Sequence, residues 1–407
     1  MIELWDLPKQ RTHIAIDEEL KNNIIKLMKI KKFPLKLIRR LRRQRIKIST
    51  IELIFKNLDI SSDIFKKNIS WIGGGNGYGL SNPKLPFNLS SREGARFIAA
   101  ITNDGCLSNT KSGYGRLMYD NFEKELRDSV IQDYLKVFGG KPEEIAFRNY
   151  EKKKFLEFTS IIRDIMFLIL KHKGSKAETN LKVPSFILKD QKNIFGWIEQ
   201  TIADEGEVKY EPHKYRRSII WRRSLDVSHL FNKQVTKDIP LRRLPKSLQS
   251  SLLNQKCNLI ESEKRMLEML GIQYRIYNLG VYPTEKGKIR TRWQISITKR
   301  ENLLKLRKLI KIPLKKKDQK FDNICNEFER YKEPLRIKKA IIKLAKHNKP
   351  ITSSNLKKAM NYRNTSTATH WIKRFEKENL IKKVRDSEYS IGNYRKPAEY
   401  RLISVIK

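Results

Sequence analysis

One short pattern occurs twice in the chain and constrains its fold more than any other feature. The first copy runs from Phe97 to Gly105 as FIAAITNDG, and the second runs from Ile198 to Gly206 as IEQTIADEG. Each is an apolar helical stretch that ends in an acid followed by glycine, and glycine suits the left-handed position just beyond a helix. The acid therefore stands at a helix C-terminus, where backbone carbonyls carry partial negative charge. This arrangement predicts that each helix end has a cation as its partner.

The charge of the chain indicates what it binds. Its 407 residues include 87 Lys and Arg against 44 Asp and Glu, which gives a formal net charge of +43. The basic residues are spread along the whole chain, so nucleic acid is the first expected partner and an anionic membrane the second. The longest apolar run, Ile165–Leu170, is too short to cross a bilayer. The cysteines are widely spaced, and Glu3 and Asp6 lie where a signal peptide would be apolar. We therefore expect a cytoplasmic, nucleoid-associated protein with no membrane partner.

Residues 1–72 have the pattern of a small helical domain of the helix-turn-helix type. Apolar residues recur at helical spacing between short turns, and Pro34 marks one helix start. A densely basic stretch of this region contains three candidates for contacts with DNA phosphates: Arg39, Arg40 and Arg43. A solvated basic helix face is the alternative interpretation. The glycine-rich stretch that follows lacks the ending of a phosphate-binding loop, so residues 73–89 are interpreted as a linker.

After this linker, each copy of the repeated pattern opens a similar series of elements. Residues 90–180 have the pattern of helix, hairpin, helix, hairpin and helix, and residues 181–312 repeat that order. The strand predicted at 289–297 alternates polar and apolar side chains, so one face would lie on a core and the other would face DNA. The fold class is therefore α+β with an internal repeat.

The C-terminal part is predicted to be a separate DNA-binding unit. Residues 313–332 are interpreted as a basic linker, and residues 333–407 as a winged helix-turn-helix, with three helices and then two strands around a loop. The third helix would bury Ala368, Trp371, Ile372 and Phe375. Its other face would enter the major groove with Thr367, Thr369, His370, Lys373, Arg374 and Lys377. The loop, or wing, would bring Arg395 and Lys396 to the DNA backbone or the minor groove. A winged helix that docks onto another protein is the alternative interpretation.

The paired helix–acid–glycine motifs, each opening an αββαββ series, resemble those of the LAGLIDADG homing endonuclease family over about residues 84–312. The resemblance implies a pseudo-twofold, single-chain fold in which two saddle-shaped sheets straddle DNA and the motif helices run along the central axis. The helix-turn-helix and winged units would flank that core. The family's metal-binding acids fall on Asp104 and Glu205. The small residue at which its motif helices pack falls on Ala99 and Gln200, and both Gln200 and Thr102 depart from the family's pattern.

The resemblance also implies a metal-dependent reaction at the two helix ends. Mg²⁺ takes oxygen ligands and tolerates one or two carboxylates plus phosphate, so Asp104 and Glu205 would be both its ligands and the catalytic acids. The metal would lower the pKa of a water and stabilise the leaving oxygen. Three lysines are candidates for neutralising the phosphate transition state: Lys152, Lys154 and Lys288. Candidates for DNA contacts in the second series are Arg216, Arg217, Arg222, Arg223, Arg290, Arg292 and Gln294.

Two functions fit this sequence. The first is a Mg²⁺-dependent, sequence-specific endonuclease for double-stranded DNA, which needs no small-molecule cofactor and acts as a monomer. The second is a catalytically inactive DNA binder, either a transcription regulator or a winged-helix initiator at a replication origin. The acids of both motifs favour the first function, whereas Gln200, Thr102 and the added terminal units favour the second. A binder of structured RNA or of DNA junctions is disfavoured, because winged helices mostly bind duplex DNA.

Overall fold

The chain forms an α+β protein with antiparallel sheets, which confirms the fold class at this level. The structure is a computed structural model, and it describes residues 1–58, 60, 62–74, 78–108, 116–151, 153–172, 175–212, 216–233, 235–330, 333–362, 364–389 and 395–403. Two compact units are distinguished by their contacts, Met1–Ile324 and Cys325–Lys407. Short 3-10 helices lie at Leu4–Asp6, Pro142–Glu144, Ser185–Lys189, Ser228–Leu230 and Leu241–Arg243.

The N-terminal region combines helices with a sheet. Its strands are β1 (Thr12–Ile16), β2 (Ile46–Lys47), β3 (Ile69–Gly74) and β4 (Gly79–Ser81), and they pair in the order β2-β1-β3-β4. Its helices are α1 (Glu18–Ile30), α2 (Leu35–Leu41), α3 (Ile48–Leu58) and α4 (Ser62–Lys67). The region thus differs from the helical domain expected for residues 1–72, because the alternating stretch Thr12–Ile16 buries Ile14 and Ile16 as a strand. The expected linker 73–89 likewise contains β4, which pairs with β3.

The next part of the first unit, which we call the first half, is a helix–sheet series. Its helices are α5 (Arg92–Asn103), α6 (Lys124–Phe138) and α7 (Ser160–Leu170). Its strands are β5 (Gly105–Leu107), β6 (Leu117–Asp120), β7 (Ala146–Tyr150) and β8 (Lys153–Phe158), and they pair in the order β5-β6-β8-β7. The rings of Phe97, Tyr134, Phe138 and Phe158 pack against one another in the core.

The second half follows with a similar series. Its helices are α8 (Gln191–Asp204), α9 (Lys246–Leu253), α10 (Asn258–Met269) and α11 (Arg300–Leu309). Its strands are β9 (Glu207–Glu211), β10 (Arg216–Asp226), β11 (Arg275–Pro283) and β12 (Ile289–Ile297). They pair in the order β9-β10-β12-β11, so each sheet has its first, second, fourth and third strands as neighbours. β12 has the bounds that its alternating side chains predicted.

Residues 315–330 form a helix, α12 (Lys315–Arg330), where the sequence was interpreted as a basic linker at 313–332. Phe321 and Ile324 of this helix are buried in the first unit. Its first turn is held by α6, because the Lys315 N–H donates to the Glu125 carboxylate at 2.9 Å. The apolar residues of α12 recur at helical spacing, a pattern that the many lysines of this stretch obscure.

The C-terminal unit contains three helices and paired strands. The helices are α13 (Glu333–Lys346), α14 (Ser353–Met360) and α15 (Thr365–Lys377), and the strands are β13 (Ile381–Arg385), β14 (Glu388–Tyr389), β15 (Arg395–Lys396) and β16 (Glu399–Leu402). β13 pairs with β16, β14 pairs with β15, and Ile351 forms a bridge to Tyr400. The buried side of α15 is the predicted set: Ala368, Trp371, Ile372 and Phe375.

Candidate functional site

The helices α5 and α8 lie side by side and run in the same direction. The buried Glu199 of α8 accepts hydrogen bonds from Arg92 and Arg96 of α5. At the C-terminal ends, the Asn103 Nδ2 donates to the Asp204 Oδ2 at 3.1 Å. These contacts bring the ends of the two repeated patterns to one place.

A glycine lets the two helices approach closely. A Cβ at Gly196 would overlap the carbonyl oxygen of Arg92, so a larger residue would push the helices apart. Ala99 and Gln200, the expected contact positions, are fully buried as well. Gln200 folds back along its own helix, where its Nε2 donates to the Asp204 Oδ1 at 2.9 Å. Gln200, which stands where the LAGLIDADG pattern has a small residue, therefore does not separate the helices. Gly196 is the small residue at the contact between α5 and α8.

The glycines that follow the two acids have a steric role other than the predicted one. The left-handed conformation expected for Gly105 and Gly206 is not found, since neither has a positive φ. Instead, a Cβ on Gly105 would overlap the carbonyl of Ile101, and one on Gly206 would overlap that of Ile202. The chain therefore turns so tightly over the last helical turn that only glycine fits.

The structure brings the two predicted acids together at these helix ends. Asp104 is half-buried, and the Asn121 Nδ2 donates to its Oδ2 at 2.8 Å. Burial raises the pKa of Asp104, and the charge of Glu205 raises it further. The side chain of Glu205 is 36% exposed, and its Oε1 lies 3.6 Å from the Arg223 Nη1. The two carboxylates therefore repel each other, and a cation between them would relieve that repulsion.

A third acid, Asp204, lies at the helix ends, and the sequence pattern did not predict it because the repeated motif marks the residue just before each glycine. Its Oδ1 accepts hydrogen bonds from the Tyr119 hydroxyl at 2.7 Å and from Gln200, and its Oδ2 accepts from Asn103. Burial raises the pKa of Asp204, and the charge of Asp104 raises it further. Its position beside Glu205 in the sequence was the available signal.

Two lysines contact the helix ends directly, and neither was predicted. The Lys176 Nζ donates to the Asn103 carbonyl at 2.6 Å, at the end of α5. The Lys317 Nζ donates to the carbonyls of Ala203 at 2.6 Å and Ile202 at 3.1 Å, at the end of α8. Burial lowers the pKa of Lys176 to about 8, although Asp104 and Glu205 oppose that shift. Burial also lowers the pKa of Lys317, against the effect of Asp204 and Asp104.

Among the described residues, neither Lys154 nor Lys288 has a side-chain hydrogen bond or ion pair to Asp104 or Glu205. Lys152 is outside the part of the chain that the structure describes. Lys154 lies on β8, where its backbone carbonyl accepts a hydrogen bond from the Asn121 N–H at 3.0 Å. Lys288 is exposed in the turn between β11 and β12. The lysines whose charges act on Asp104 are Lys176 and Lys317.

A cavity of about 670 Å³ opens beside the helix ends. Its wall includes Asn103, Lys176, Glu205, Arg222, Tyr282, Arg290 and Arg292. Two buried oxygens of this wall, Thr102 Oγ1 and Asn103 Oδ1, have no hydrogen-bond partner among the described residues. Cations outnumber carboxylates in the wall, so the cavity suits an anionic group such as a phosphate.

Most of the predicted DNA-contacting residues of the second half share one open face of its sheet. Pairing of β10 with β12 sets Arg222 opposite Gln294 and Ser224 opposite Arg292. The Arg222 Nε donates to the Gln294 Oε1 at 3.0 Å, and the Arg292 guanidinium lies over the Tyr282 ring at 4.3 Å. Alternation puts Arg216 and Arg290 on the same face.

Two of the predicted residues point the other way. Arg223 lies on the opposite face of β10, where it is buried and its Nη2 donates to the buried Glu263 at 2.6 Å. Arg217 shares that side of the strand by alternation. Arg217 and Arg223 therefore do not share the open face with the other predicted residues, since Trp221 and Leu225 on their side belong to the core face. Arg223 does line the cavity beside the helix ends.

The predicted DNA-contacting residues of the terminal regions are mostly exposed. Arg39, Arg40 and Arg43 are exposed on α2 and the turn that follows it. On α15, Thr369 is half-buried, and the exposed residues are Thr367, His370, Lys373, Arg374 and Lys377. The Arg374 Nε also pairs with Glu378 at 2.9 Å. The side chains of Arg395 and Lys396 lie outside the described part of the chain.

The helix ends offer two carboxylates to a divalent cation and would need further ligands from outside the chain. Asp104 and Glu205 supply carboxylate oxygens, which Mg²⁺ prefers. Within the described ranges, no group of three or more His, Cys, Asp or Glu side chains is placed to hold a metal ion. Water or phosphate oxygens would therefore have to complete the coordination of Mg²⁺ there.

Two further findings concern membrane-spanning helices and similarity to known proteins. Among the residues that the structure describes, no helix is both long enough and apolar enough to cross a membrane. In comparisons with known proteins, no protein-family model matches the chain, and no curated protein matches its sequence.

Proposed function

We propose that this protein binds double-stranded DNA in a sequence-specific manner through a pseudo-twofold core of the LAGLIDADG type. One observation carries the proposal: two sheets with the same strand order follow two adjacent helices, and each helix ends in an acid and a glycine. Such a repeat suits a DNA duplex, because the two strands of the duplex are also related by approximate twofold symmetry. Since one chain contains both halves, the protein would act as a monomer.

The open face of the second sheet would contribute much of the DNA contact. Arginine contacts both phosphates and guanine, and glutamine contacts adenine, through paired hydrogen bonds. The face presents Arg222, Arg290, Arg292 and Gln294, and Tyr282 supports one of the guanidinium groups. These groups are held by neighbouring side chains, which lowers the entropy lost when they bind.

The terminal regions would extend the binding site. The C-terminal unit has the element order of a winged helix: helix, bridging residue, two helices and then paired strands. In this proposal α15 enters the major groove with His370, Lys373 and Lys377 exposed. In the N-terminal region, α2 and α3 would act as the helix-turn-helix, which would add the basic surface of α2.

DNA cleavage is the second candidate function, and the proximity of Asp104 and Glu205 favours it. Mg²⁺, when bound, would supply Lewis-acid chemistry that activates water and stabilises the leaving oxygen. Asp104 would be oriented by Asn121. The arginines of the cavity wall would bind the phosphate beside the helix ends.

Selection from a random duplex library with the full chain tests the DNA-binding proposal. We expect one long sequence to be enriched, with a footprint that spans both halves and the terminal units. Affinity should fall steeply between about 50 and about 200 mM salt, because many phosphate counterions are released on binding. A protein that enriches no sequence and shows a flat salt response would refute the proposal.

Incubation of the selected duplex with Mg²⁺ or Mn²⁺ tests cleavage separately. If the chain is an endonuclease, the wild type should produce staggered double-strand breaks, and Asp104→Asn or Glu205→Gln should bind without cutting. A wild type that binds the site tightly but leaves both strands intact eliminates the cleavage candidate and leaves DNA binding in place.

A further inference from the structure

Each half of the first unit carries a lysine that returns to the end of that half's own first helix. Lys176 follows α7, the last helix of the first half, and reaches the end of α5. Lys317 follows α11, the last helix of the second half, and reaches the end of α8. The two lysines come from different structural contexts, a loop and a helix, yet they make the same contact.

The helix ends need positive charge. The last carbonyls of a helix carry partial negative charge, and cations near them are stabilising. Three carboxylates, those of Asp104, Asp204 and Glu205, surround these carbonyls and act on one another. Arg223 is shared with the buried Glu263, whereas Lys176 and Lys317 donate to the helix-end carbonyls themselves.

Both ammonium groups are held in place by their own segments. Beside Lys176, the Ala177 carbonyl accepts from the Asp226 N–H at 3.1 Å, and the Ser175 hydroxyl accepts from Arg290 at 3.0 Å. Beside Lys317, the Asp318 carboxylate accepts from the Ile312 N–H at 2.9 Å and pairs with Arg307 at 2.5 Å. Each ammonium is therefore presented to the carbonyls by a fixed backbone.

We propose that Lys176 and Lys317 are tethered cations that take the place of divalent ions at the two helix ends. Their 2.6 Å contacts with Asn103 and Ala203 cover the carbonyl oxygens that would otherwise face an ion beside the carboxylates. The helix ends then remain neutralised with no bound metal. Folding and DNA binding therefore do not require a divalent cation, and removal of a lysine charge converts its helix end into a metal site.

Titration of the metal-free chain with Mn²⁺, followed by electron paramagnetic resonance, tests the proposal without DNA. The wild type should show no saturable binding below about 1 mM, whereas Lys176→Ala and Lys317→Ala should each gain a site in that range. Lys176→Gln keeps a donor for the Asn103 carbonyl but removes the charge, so it should fold and also gain a site. Asp104→Asn in the Lys176→Ala background should remove the gained site.

Matched controls and thermal unfolding complete the experiment. Lys182→Ala and Lys320→Ala remove exposed lysines from the same two segments and should gain no site. Mn²⁺ should raise the melting temperature of the Lys176 and Lys317 variants and leave that of the wild type unchanged, because only a ligand of the folded state stabilises it. Saturable binding by the wild type, or folded Lys176→Gln that gains no site, would overturn the proposal.

Measurements of DNA binding distinguish a failure of this proposal from a failure of the proposed function. Wild type in EDTA should bind the selected duplex as tightly as wild type in Mg²⁺. If the chain binds no DNA at all, the proposed function fails, while the Mn²⁺ titrations still decide the role of the lysines. DNA binding that EDTA abolishes would refute tethered cations and retain the proposed function.

Discussion

The two halves of the first unit share a strand order but differ in what fills their cores. In the first half, aromatic rings pack on one another, with Phe97 and Phe158 at 5.3 Å between ring centroids. In the second half, the fully buried Glu263 accepts hydrogen bonds from the indole N–H groups of Trp197 and Trp221 and from Arg223. The first half also has buried ion pairs, Arg163 with Asp164 and Arg96 with Asp133, but they lie apart from its packed rings. In the second half the ion pair of Glu263 and Arg223 is itself bonded to the two core tryptophans.

The open faces of the two sheets differ as well. On the first sheet, Glu157 pairs with Arg116 at 3.3 Å and with Arg148 at 3.4 Å, so acids offset much of the basic charge. On the second sheet, Arg290 and Arg292 have no such carboxylate partner among the described residues and contact Ser175 and Tyr282 instead. The second face also carries ion pairs, Arg216 with Glu211 at 3.8 Å and Arg222 with Glu207 at 4.0 Å, but Arg290 and Arg292 lie outside them. The second face is therefore the more basic of the two.

Strand topology and side-chain chemistry are therefore specified separately in this chain. The alternation of apolar residues and the helical spacing fix which strands pair, and many side-chain sets satisfy that pattern. The identity of the buried polar groups and of the open-face charges is then free to differ. We therefore expect changes at matched positions of the two halves to differ in their effects on stability and on DNA affinity.

The largest effect is expected in the ionic core. Glu263→Ala would leave the Arg223 guanidinium buried without its partner, and we expect the free energy of unfolding to fall by about 3–5 kcal/mol. Urea denaturation followed by far-UV circular dichroism measures this change. Glu261→Ala, which alters a partly exposed acid on the same helix, should cost less than about 0.5 kcal/mol. Equal losses in the two variants would show that the buried pair does not distinguish this core.

The next largest effect is a loss of DNA affinity, which we expect to differ between the open faces of the two sheets. We expect the double change Arg290→Gln and Arg292→Gln to weaken binding about 30-fold, or about 2 kcal/mol, and to reduce the salt slope by about two ions. The matched double change on the first sheet, Arg148→Gln and Lys153→Gln, should weaken binding less than about threefold. Fluorescence anisotropy at several salt concentrations measures both. Similar losses from both sheets would show that Arg290 and Arg292 do not set the second face apart from the first.

The elements that the sequence predicted well are those whose pattern is local. β12 was placed at its observed bounds because apolar and polar residues alternate along it, and the buried side of α15 follows from helical spacing. The same alternation could have identified Arg223 as a core residue, since Trp221 and Leu225 lie on its side of β10. Its charge was given more weight than its position.

The parts that were missed depend on contacts between distant segments. Lys176 and Lys317 look like ordinary basic residues, and only the folded chain brings them to carbonyls of remote helices. Gly196 has no local signature either, because its constraint is the carbonyl of Arg92 on another helix. The strand β1 is short and lies among helical segments, so its alternation was too brief to be distinctive.

The smallest predicted effect compares the residues that precede the two acids, Asn103 in the first half and Asp204 in the second. The folded protein raises the pKa of Asp204, so its charged form destabilises the fold above that pKa, and this cost disappears as the pH falls toward the ordinary aspartate value near 3.9. Asp204→Asn should therefore be more stable than the wild type by about 1 kcal/mol near pH 8 and about equally stable near pH 4.

The hydrogen bonds allow this exchange, because the Asn103 Oδ1 lacks a partner among the described residues and its amide can turn to accept from the new NH₂ group. Thermal unfolding across this pH range measures the effect, and Asn103→Asp provides the mirror change. Adding a carboxylate to the first helix end should lower the melting temperature near pH 8 and have less effect near pH 4. Equal destabilisation by Asp204→Asn at both pH values would contradict this prediction. It would show that the hydrogen bonds of the Asp204 carboxylate contribute more to stability than its charge costs. The two helix ends would then differ in geometry rather than in electrostatics.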